Sequence, residues 1–199
     1  MIRTPKGERP VEALRAGDLV ATLDRGPQPI VWIGGRRVSW REMKRGKGLR
    51  PILVRANTFG QGRPFADTFF SRQHPILLSR DTARSRFIET AGVFAPVHAL
   101  TEVPGIEEQC PTAGTQFIHI LTKDHNILWS NGLATETLLM TPYSQRMTRA
   151  EPAALLDCPD DIAGIQMSPA RSILHNKVAR QIAKKISAAG VAGLLSQTS

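Results

Sequence analysis

Residues 117–140, FIHILTKDHNILWSNGLATETLLM, decide the fold class of this chain. Phe117–Leu121 and Ile127–Trp129 are apolar runs of strand length, separated by the polar residues Thr122–His125. A second turn, Ser130–Gly132, leads into a short exit strand. Short apolar runs bounded by turn residues favour strands over a helix. The stretch therefore predicts a β-hairpin.

A histidine follows an aspartate in the first of these turns, at Asp124-His125. Turns favour polar residues, and such a pair is more often a solvated loop than a catalytic group. His125 becomes a candidate site residue only through a similarity described below.

The rest of the first 140 residues repeats the same pattern of short apolar runs. Glycine or proline turns separate them every eight to twelve residues, which is typical of all-β domains. The predicted strands are Ile2–Thr4, Leu19–Leu23, Pro29–Ile33, Pro51–Ala56 and Ile76–Leu78. The glycine pair Gly34-Gly35 is predicted to end the Pro29–Ile33 strand, and 101–115 is predicted to be a loop.

Length and composition suit one domain with an appendage. The chain has 199 residues, 41% of them hydrophobic, enough to bury a core. No apolar run approaches the ~20 residues that cross a bilayer. The first residues enter a strand pattern directly, without the features of a signal peptide. The two cysteines, Cys110 and Cys158, form neither a metal motif nor a disulfide framework, and we expect free thiols.

The composition changes near Arg149. An Ala/Leu-rich stretch follows, and then apolar residues recur at helical spacing between arginines and lysines. The pattern predicts a basic amphipathic helix over Ser168–Leu195, with Ser168 as N-cap and Pro169 as its first residue. We expect a β domain at 1–142 and a mostly helical tail at 143–199. The helix is expected to dock on the β domain rather than lie on an anionic surface.

Three blocks of the chain together resemble a known family. Residues 2–38, IRTPKGERPVEALRAGDLVATLDRGPQPIVWIGGRRV, are similar to the opening of a Hint domain, the module shared by Hedgehog autoprocessing domains and inteins. The similarity is to the bacterial Hint subfamily. Ser71-Arg72-Gln73-His74 resembles the family's Thr/Ser-x-x-His block, and 125–132 resembles its last block. The resemblance implies an all-β fold of the flattened β-horseshoe type with a C-terminal helical appendage.

The resemblance also implies candidate catalytic residues: Ser71, His74 and His125. At the position of His74, the family's histidine donates to the amide nitrogen of a scissile bond and protonates the leaving amine, which calls for a pKa near neutrality. The hydroxyl of Ser71 would help to hold the distorted peptide. His125 matches a histidine that assists C-terminal cleavage in splicing inteins. The alternative for His74 is a half-buried strand histidine. His119 falls near the position where a polar residue supports the chemistry in inteins, but the alignment is uncertain by one residue, and we favour a packed or surface strand histidine.

The family's nucleophile is absent from these 199 residues. The resemblance implies a cysteine about six residues ahead of Ile2, or ~20 Å of extended chain. Cys110 and Cys158 are in the wrong places to replace it. A thiol nucleophile cannot be replaced by positioning alone. The sequence as given is therefore predicted not to cleave itself.

C-terminal cleavage is not expected either. Inteins end in a His-Asn pair whose asparagine cyclises, and Thr135 and Glu136 stand at about that position. Glutamate does not cyclise as asparagine does. His175-Asn176 looks like an intein ending, but Lys177 follows, and the helical spacing of the apolar residues places both on the predicted helix.

The net charge of +9 is concentrated in residues 36–50, where seven basic residues surround one acid, Glu42, and one aromatic residue, Trp40. Such a segment can follow a phosphate backbone, but it is also typical of an exposed connection between strands, and we favour the connection.

Three functions remain open from sequence. The first is autoprocessing, in which the domain acts on its own chain. The second is a structural or interaction module of a larger bacterial protein. The third is a basic nucleic-acid-binding domain. No cofactor and no metal ligand set is expected for any of them.

Overall fold

The computed structural model describes residues 1–80, 88–141 and 166–195, with side chains as far as residue 189. It confirms the predicted fold class: the described residues form mainly strands, with one long helix at the C-terminal end. The strands are β1 Ile2–Thr4, β2 Gly7–Arg9, β3 Leu19–Thr22, β4 Gly26–Val38, β5 Ile52–Val54, β6 Thr68–Phe70, β7 Pro75–Leu78, β8 Val93–Pro96, β9 Ile106–Glu108, β10 Thr115–Thr122, β11 Ile127–Ser130 and β12 Leu133–Glu136. The helices are α1 Trp40–Arg45 and α2 Asn176–Leu195, and single 3-10 turns lie at Val11–Ala13, Lys47–Leu49 and Val97–Leu100.

The strands form two antiparallel sheets. The larger has the order β10-β4-β3-β11-β12-β7-β8, with β1 paired to β11 and β2 to β1, and the smaller has the order β6-β5-β9. The chain after β12 returns to β10, where the amide of Leu138 donates to the carbonyl of Ile120 at 2.7 Å. This contact brings β10 close to the β12–β7 part of the sheet.

The hairpin predicted for 117–140 is only partly correct. Its strands are present, but β10 pairs with β4 rather than with β11, and the hairpin is formed by β11 and β12. Its turn is Asn131-Gly132, with φ of +48° and +78°. Asparagine and glycine accept positive φ, which tight two-residue turns require, whereas the polar turn at Thr122–His125 separates two strands that pair elsewhere.

Two other strand predictions need correction. β4 continues through Gly34-Gly35 to Val38, because these glycines allow close packing rather than a turn. A Cβ on Gly35 would collide with the backbone of Phe117 on β10, and one on Gly34 with the Trp32 ring. The predicted loop at 101–115 contains β9, which pairs with β5.

The C-terminal helix begins at Asn176, seven residues after the predicted first residue, Pro169. The preceding residues are extended along the edge of β8, where Phe94 donates to Ser172 at 2.9 Å and accepts from Leu174 at 2.8 Å. These backbone bonds cover an exposed sheet edge, and a helix over 168–175 could not make them. The proposed cap at Ser168 is therefore wrong. His175, predicted to lie on the helix, immediately precedes it.

The predicted docking of the helix is confirmed. Ala179, Ile182 and Ala183 belong to the largest apolar cluster, together with Ile76 on β7 and Leu100. The division of the chain at residue 142 stays a prediction, and 142–165, including Cys158, lies outside the described residues. Within the described segments, no helix has the length and hydropathy needed to cross a bilayer.

Candidate functional site

His74 is held at the entrance of β7. Its amide donates to the carbonyl of Ser71 at 3.0 Å, which closes the turn after β6, and its carbonyl accepts from Val97 at 3.0 Å. Pro75 favours the extended backbone that this pairing needs. The ring of Phe70, at the end of β6, stacks on the imidazole with centroids 5.1 Å apart. The backbone and Phe70 together fix the orientation of His74.

The chemical state of His74 differs from the prediction. The residue keeps partial surface exposure, but its Nε2 atom is buried and has no hydrogen-bond partner among the described residues. The pKa of His74 is lowered to about 3, mainly by burial and in smaller measure by the nearby His119 and His125. Desolvation and neighbouring positive charge both disfavour the imidazolium. The site therefore holds a neutral imidazole at pH 7, not a group that titrates near neutrality.

His119 lies near His74, a proximity that the sequence analysis did not predict. It lies on β10 opposite Gly34, and burial lowers the pKa of His119 to about 4. The bond between Leu138 and Ile120 brings this part of β10 toward the strands that carry His74. The sequence signal was its place near a polar position of inteins, and an uncertainty of one residue in strand register changes the face on which it lies.

His125 is not a solvated turn residue. Its side chain is fully buried, and its ring lies 5.6 Å from that of Phe94. Nε2 lies 2.9 Å from Oε2 of Glu136, and Nδ1 accepts the backbone N–H of Ala170 at 2.9 Å. Because Nδ1 accepts a hydrogen bond, the ring proton must be on Nε2, which donates to Glu136. Both ring nitrogens are thus engaged.

Glu136 is the partner that orients His125. Burial raises the pKa of Glu136, while the hydrogen bond from His125 opposes this effect. The sequence comparison had placed Glu136 near the cyclising asparagine of inteins. Here its carboxylate accepts from an imidazole instead, and the segment around Ala170 covers the other side of that ring.

The candidate residues are therefore only partly brought together. His119 and His125 both lie close enough to His74 to influence it electrostatically. Ser71 is the first residue of the turn that ends at His74 and is half-buried. Among the described residues, no group of three or more histidines, cysteines or acids is arranged as a metal site.

A second set of contacts holds the first strand. The Met1 amino group donates to Oδ1 of Asn131 at 2.7 Å, and the backbone N–H of Asn131 donates to the Met1 carbonyl at 2.8 Å. The Asn131 side chain also donates to Oγ1 of Thr68 on β6 at 2.8 Å. Asn131 therefore joins β1 and the β11–β12 hairpin to β6, the strand that leads to Phe70 and His74.

Two other histidines lie outside this site. His98 contacts the Arg72 carbonyl through Nδ1 at 2.8 Å, as expected for a structural residue. His175 is exposed, and its Nδ1 accepts the amide of Lys177 at 3.3 Å at the start of α2.

The basic segment 36–50 connects β4 to β5, as predicted, and contains α1. Ser39 and Glu42 form a capping box at its N-terminus. Arg36 pairs with Glu42, and Arg50 pairs with Glu108 at 3.1 Å. The exposed basic residues of this segment are Arg37, Arg41, Lys44, Arg45 and Lys47.

Comparison with known proteins agrees with the similarity seen in the sequence. A family model described as Hint domain matches residues 1–142. Among solved structures, the crystal structure of the MchDnaB-1 intein is similar over 67% of this chain and 93% of its own, with 13% identity and a TM-score of 0.38. No curated protein matches this sequence.

Proposed function

Because the chain belongs to the Hint domain family, we propose that it promotes cleavage of its own polypeptide at a peptide bond ahead of Met1, by an N-to-S acyl shift. The observation that carries this proposal is the buried Nε2 atom of His74, which has no partner among the described residues. A buried polar atom without a partner destabilises a folded protein and needs an explanation. A peptide bond presented to His74 would supply the missing partner.

In the proposed reaction, the thiol of a cysteine attacks the carbonyl carbon of the residue before it. His74 accepts the thiol proton and returns it to the amide nitrogen as the C–N bond breaks. The products are a thioester and a free amine, and no other reactant is consumed. At pH 7 the resting imidazole is neutral and has a free lone pair for the thiol proton, and its low pKa makes the imidazolium a strong proton donor to the leaving nitrogen. The Ser71 hydroxyl is assigned to holding the distorted peptide.

The thiol has to come from a segment joined to Met1. Cys110, a free cysteine, follows β9 in the smaller sheet, and the remaining cysteine is Cys158. The 199 residues by themselves are therefore expected to stay intact. A cysteine about six residues ahead of Ile2 is within ~20 Å of extended chain, enough to pass from Met1 along β6 to His74.

The contacts of Asn131 support this route. They hold Met1 beside Thr68, and β6 runs from Thr68 to Phe70, whose ring lies on His74. A segment that continues ahead of β1 would thus leave the sheet near the strand that leads to the unpartnered imidazole.

The test is a fusion in which a reporter and a lead containing that cysteine precede Met1. Dithiothreitol or hydroxylamine would attack the thioester and release the reporter, which is followed by its size on a gel. We expect release that is lost on Cys→Ala and slowed by His74→Ala. The control is His175→Ala, since His175 is exposed at the start of α2, and it should cleave at the normal rate. A fusion that stays intact under all thiol conditions would contradict the proposal and favour a structural or interaction module.

Splicing is not part of this proposal. Glu136 cannot form a succinimide, and both nitrogens of His125 are already hydrogen-bonded. We assign His125 to supporting the site through its fixed orientation rather than to cleavage at a C-terminal junction.

A second candidate function follows from the exposed charges around α1. Lys44 lies over the ring of Trp40, itself partly exposed, at 5.3 Å from the centroid. Exposed basic groups beside an aromatic ring can bind a nucleic acid. A gel-shift assay would test this function. Binding that weakens steeply with salt and disappears when Arg41, Lys44 and Arg45 are replaced by alanine would support it.

A further inference from the structure

The buried polar atoms without a partner are few among the described residues, and two of them lie close together in the fold. The two neighbouring atoms are Nε2 of His74 and Oγ1 of Thr135. The third unpartnered atom, Oε2 of Glu8, lies elsewhere in sequence. Glu8 is explained by its other oxygen, which pairs with Arg3 at 3.3 Å. Thr135 has no such explanation, since its side chain is buried and its hydroxyl is unsatisfied.

The strand register places both side chains on one face. Thr135 on β12 is paired with Ile76 on β7, and paired residues project from the same face of a sheet. His74 precedes Ile76 by two residues along an extended backbone, so its side chain has the same orientation. His74 is thus the diagonal neighbour of Thr135. Such neighbours lie about 7–8 Å apart at their Cα atoms, within reach of an imidazole.

Beside His119 and His125, which lie near His74, the neighbours of this face include apolar side chains. Ile76 and Leu133, on either side of the two polar groups, belong to the largest core cluster, as does Phe70, which stacks on His74. In such surroundings water competes weakly for a hydrogen bond. A donor aimed at developing negative charge is therefore most effective there.

We propose that Thr135 is a further catalytic residue of the acyl shift, whose hydroxyl donates a hydrogen bond to the carbonyl oxygen of the bond on which His74 acts. This inference rests on the proposed function. As sulfur adds to the carbonyl carbon, negative charge grows on that oxygen and the Thr135 hydroxyl stabilises it. The hydroxyl keeps its proton, and the thiol proton passes through His74 to the leaving nitrogen.

A structural hydroxyl and a catalytic one predict different effects of removal. A structural hydroxyl has a partner in the resting protein, as Thr22 does, which donates to the Gly26 carbonyl at 2.6 Å. Thr135 has none among the described residues, so its removal should not destabilise the fold. Its loss should appear only when a reacting carbonyl is present.

The experiment compares Thr135→Val with Thr22→Val in the cysteine-lead fusion, with the cleavage rate and the melting temperature measured for each. We expect Thr135→Val to slow cleavage by about 100-fold with an equal or higher melting temperature. Thr22→Val should lower the melting temperature and leave the rate unchanged. Thr135→Ser, which restores a hydroxyl, should recover most of the lost rate.

The possible failures are distinguishable. If the unaltered fusion does not cleave, the proposed function is wrong, and the role of Thr135 is wrong with it. If the fusion cleaves and Thr135→Val cleaves equally fast, only the role of Thr135 is overturned. A fall in melting temperature for Thr135→Val like that of Thr22→Val would also overturn it, because the hydroxyl would then be structural.

Discussion

Asn131 forms two hydrogen bonds with Met1: its Oδ1 accepts from the Met1 amino group at 2.7 Å, and its backbone N–H donates to the Met1 carbonyl at 2.8 Å. Both residues are fixed by the tight turn between β11 and β12, where Asn131 has φ of +48°. The contact sets the direction in which the chain enters β1.

Replacing Asn131 tests this contact. Asn131→Gly keeps the positive φ and removes the side-chain bonds to Met1 and Thr68, so the free energy of unfolding should fall by about 1–3 kcal/mol. The matched control is Asn57→Gly. Asn57 also has a positive φ, of 61°, but its side chain accepts one exposed bond, from Gly62. We expect a smaller loss in urea denaturation for the control, and equal losses would argue against the role of Asn131.

Acid should destabilise the fold through its histidines. The pKa of His74 is lowered to about 3 and that of His119 to about 4 by burial, below the ordinary value of 6.5. At a pH between each lowered pKa and 6.5, these two histidines bind protons in the unfolded chain but not in the folded one. Stability is therefore complete above pH 6.5 and is lost as the pH falls toward 4, by at most about 1.4 kcal/mol per pH unit for each histidine.

Glu136 opposes this trend, because a raised pKa for a carboxyl favours the folded state as the pH falls. Because two histidines oppose one carboxyl group, we expect the free energy of unfolding still to fall as the pH falls. Urea denaturation from pH 7 to pH 4.5 measures it, and the double variant His74→Gln, His119→Gln should flatten the profile. A profile that is equally steep in the double variant would show that these histidines are not its cause.

The hydrogen bonds of His125 predict its tautomer. With Nδ1 accepting from Ala170 and Nε2 donating to Glu136, the ring should carry its proton on Nε2 at pH 7. Nitrogen-15 chemical shifts of labelled histidines report this directly. Glu136→Gln keeps an acceptor oxygen and should leave the tautomer unchanged, whereas Ala170→Pro removes the donor to Nδ1 and should shift its resonance. A ring protonated on both nitrogens would contradict the assignment.

The docked face of α2 gives a further prediction. Ala183 is fully buried against the β core and Lys184 is exposed, although the two are adjacent. Ala183→Glu buries an unpaired charge and should lower the free energy of unfolding by about 3 kcal/mol or more, while Lys184→Glu should change it by less than about 0.5 kcal/mol. Thermal unfolding measures both. Similar effects would mean that this face is not buried in solution.

Much of the fold was predictable from local signals. Glycine and proline turns between short apolar runs indicated the strands, and the blocks around Ile2, His74 and His125 indicated the family. Pairing was not predictable in the same way. Nothing local to 117–129 shows that β10 bonds to β4, some eighty residues earlier in the chain. Gly34-Gly35 resembles a strand end in sequence, and its role becomes clear only beside Phe117.

The errors at the site have a physical cause as well. The apolar residues Ile173 and Leu174 fit a helical period, but the open edge of β8 provides backbone partners that a helix would leave unused. His119 and Glu136 could not be assigned from sequence, because their roles depend on which distant residues surround them. The hydroxyl of Thr135 stands out only because its burial and its lack of a partner are visible in three dimensions.

The rate of thiol-induced cleavage in the cysteine-lead fusion, compared between the unaltered domain and His74→Gln, shows whether His74 transfers the proton in the acyl shift. Glutamine approximates the shape of the imidazole but cannot carry a proton, so we expect a rate lower by about 100-fold or more. The His175→Gln control should match the unaltered domain, because His175 is exposed at the start of α2. Equal rates for His74→Gln and the unaltered domain, or no cleavage in either, would contradict the proposed role of His74.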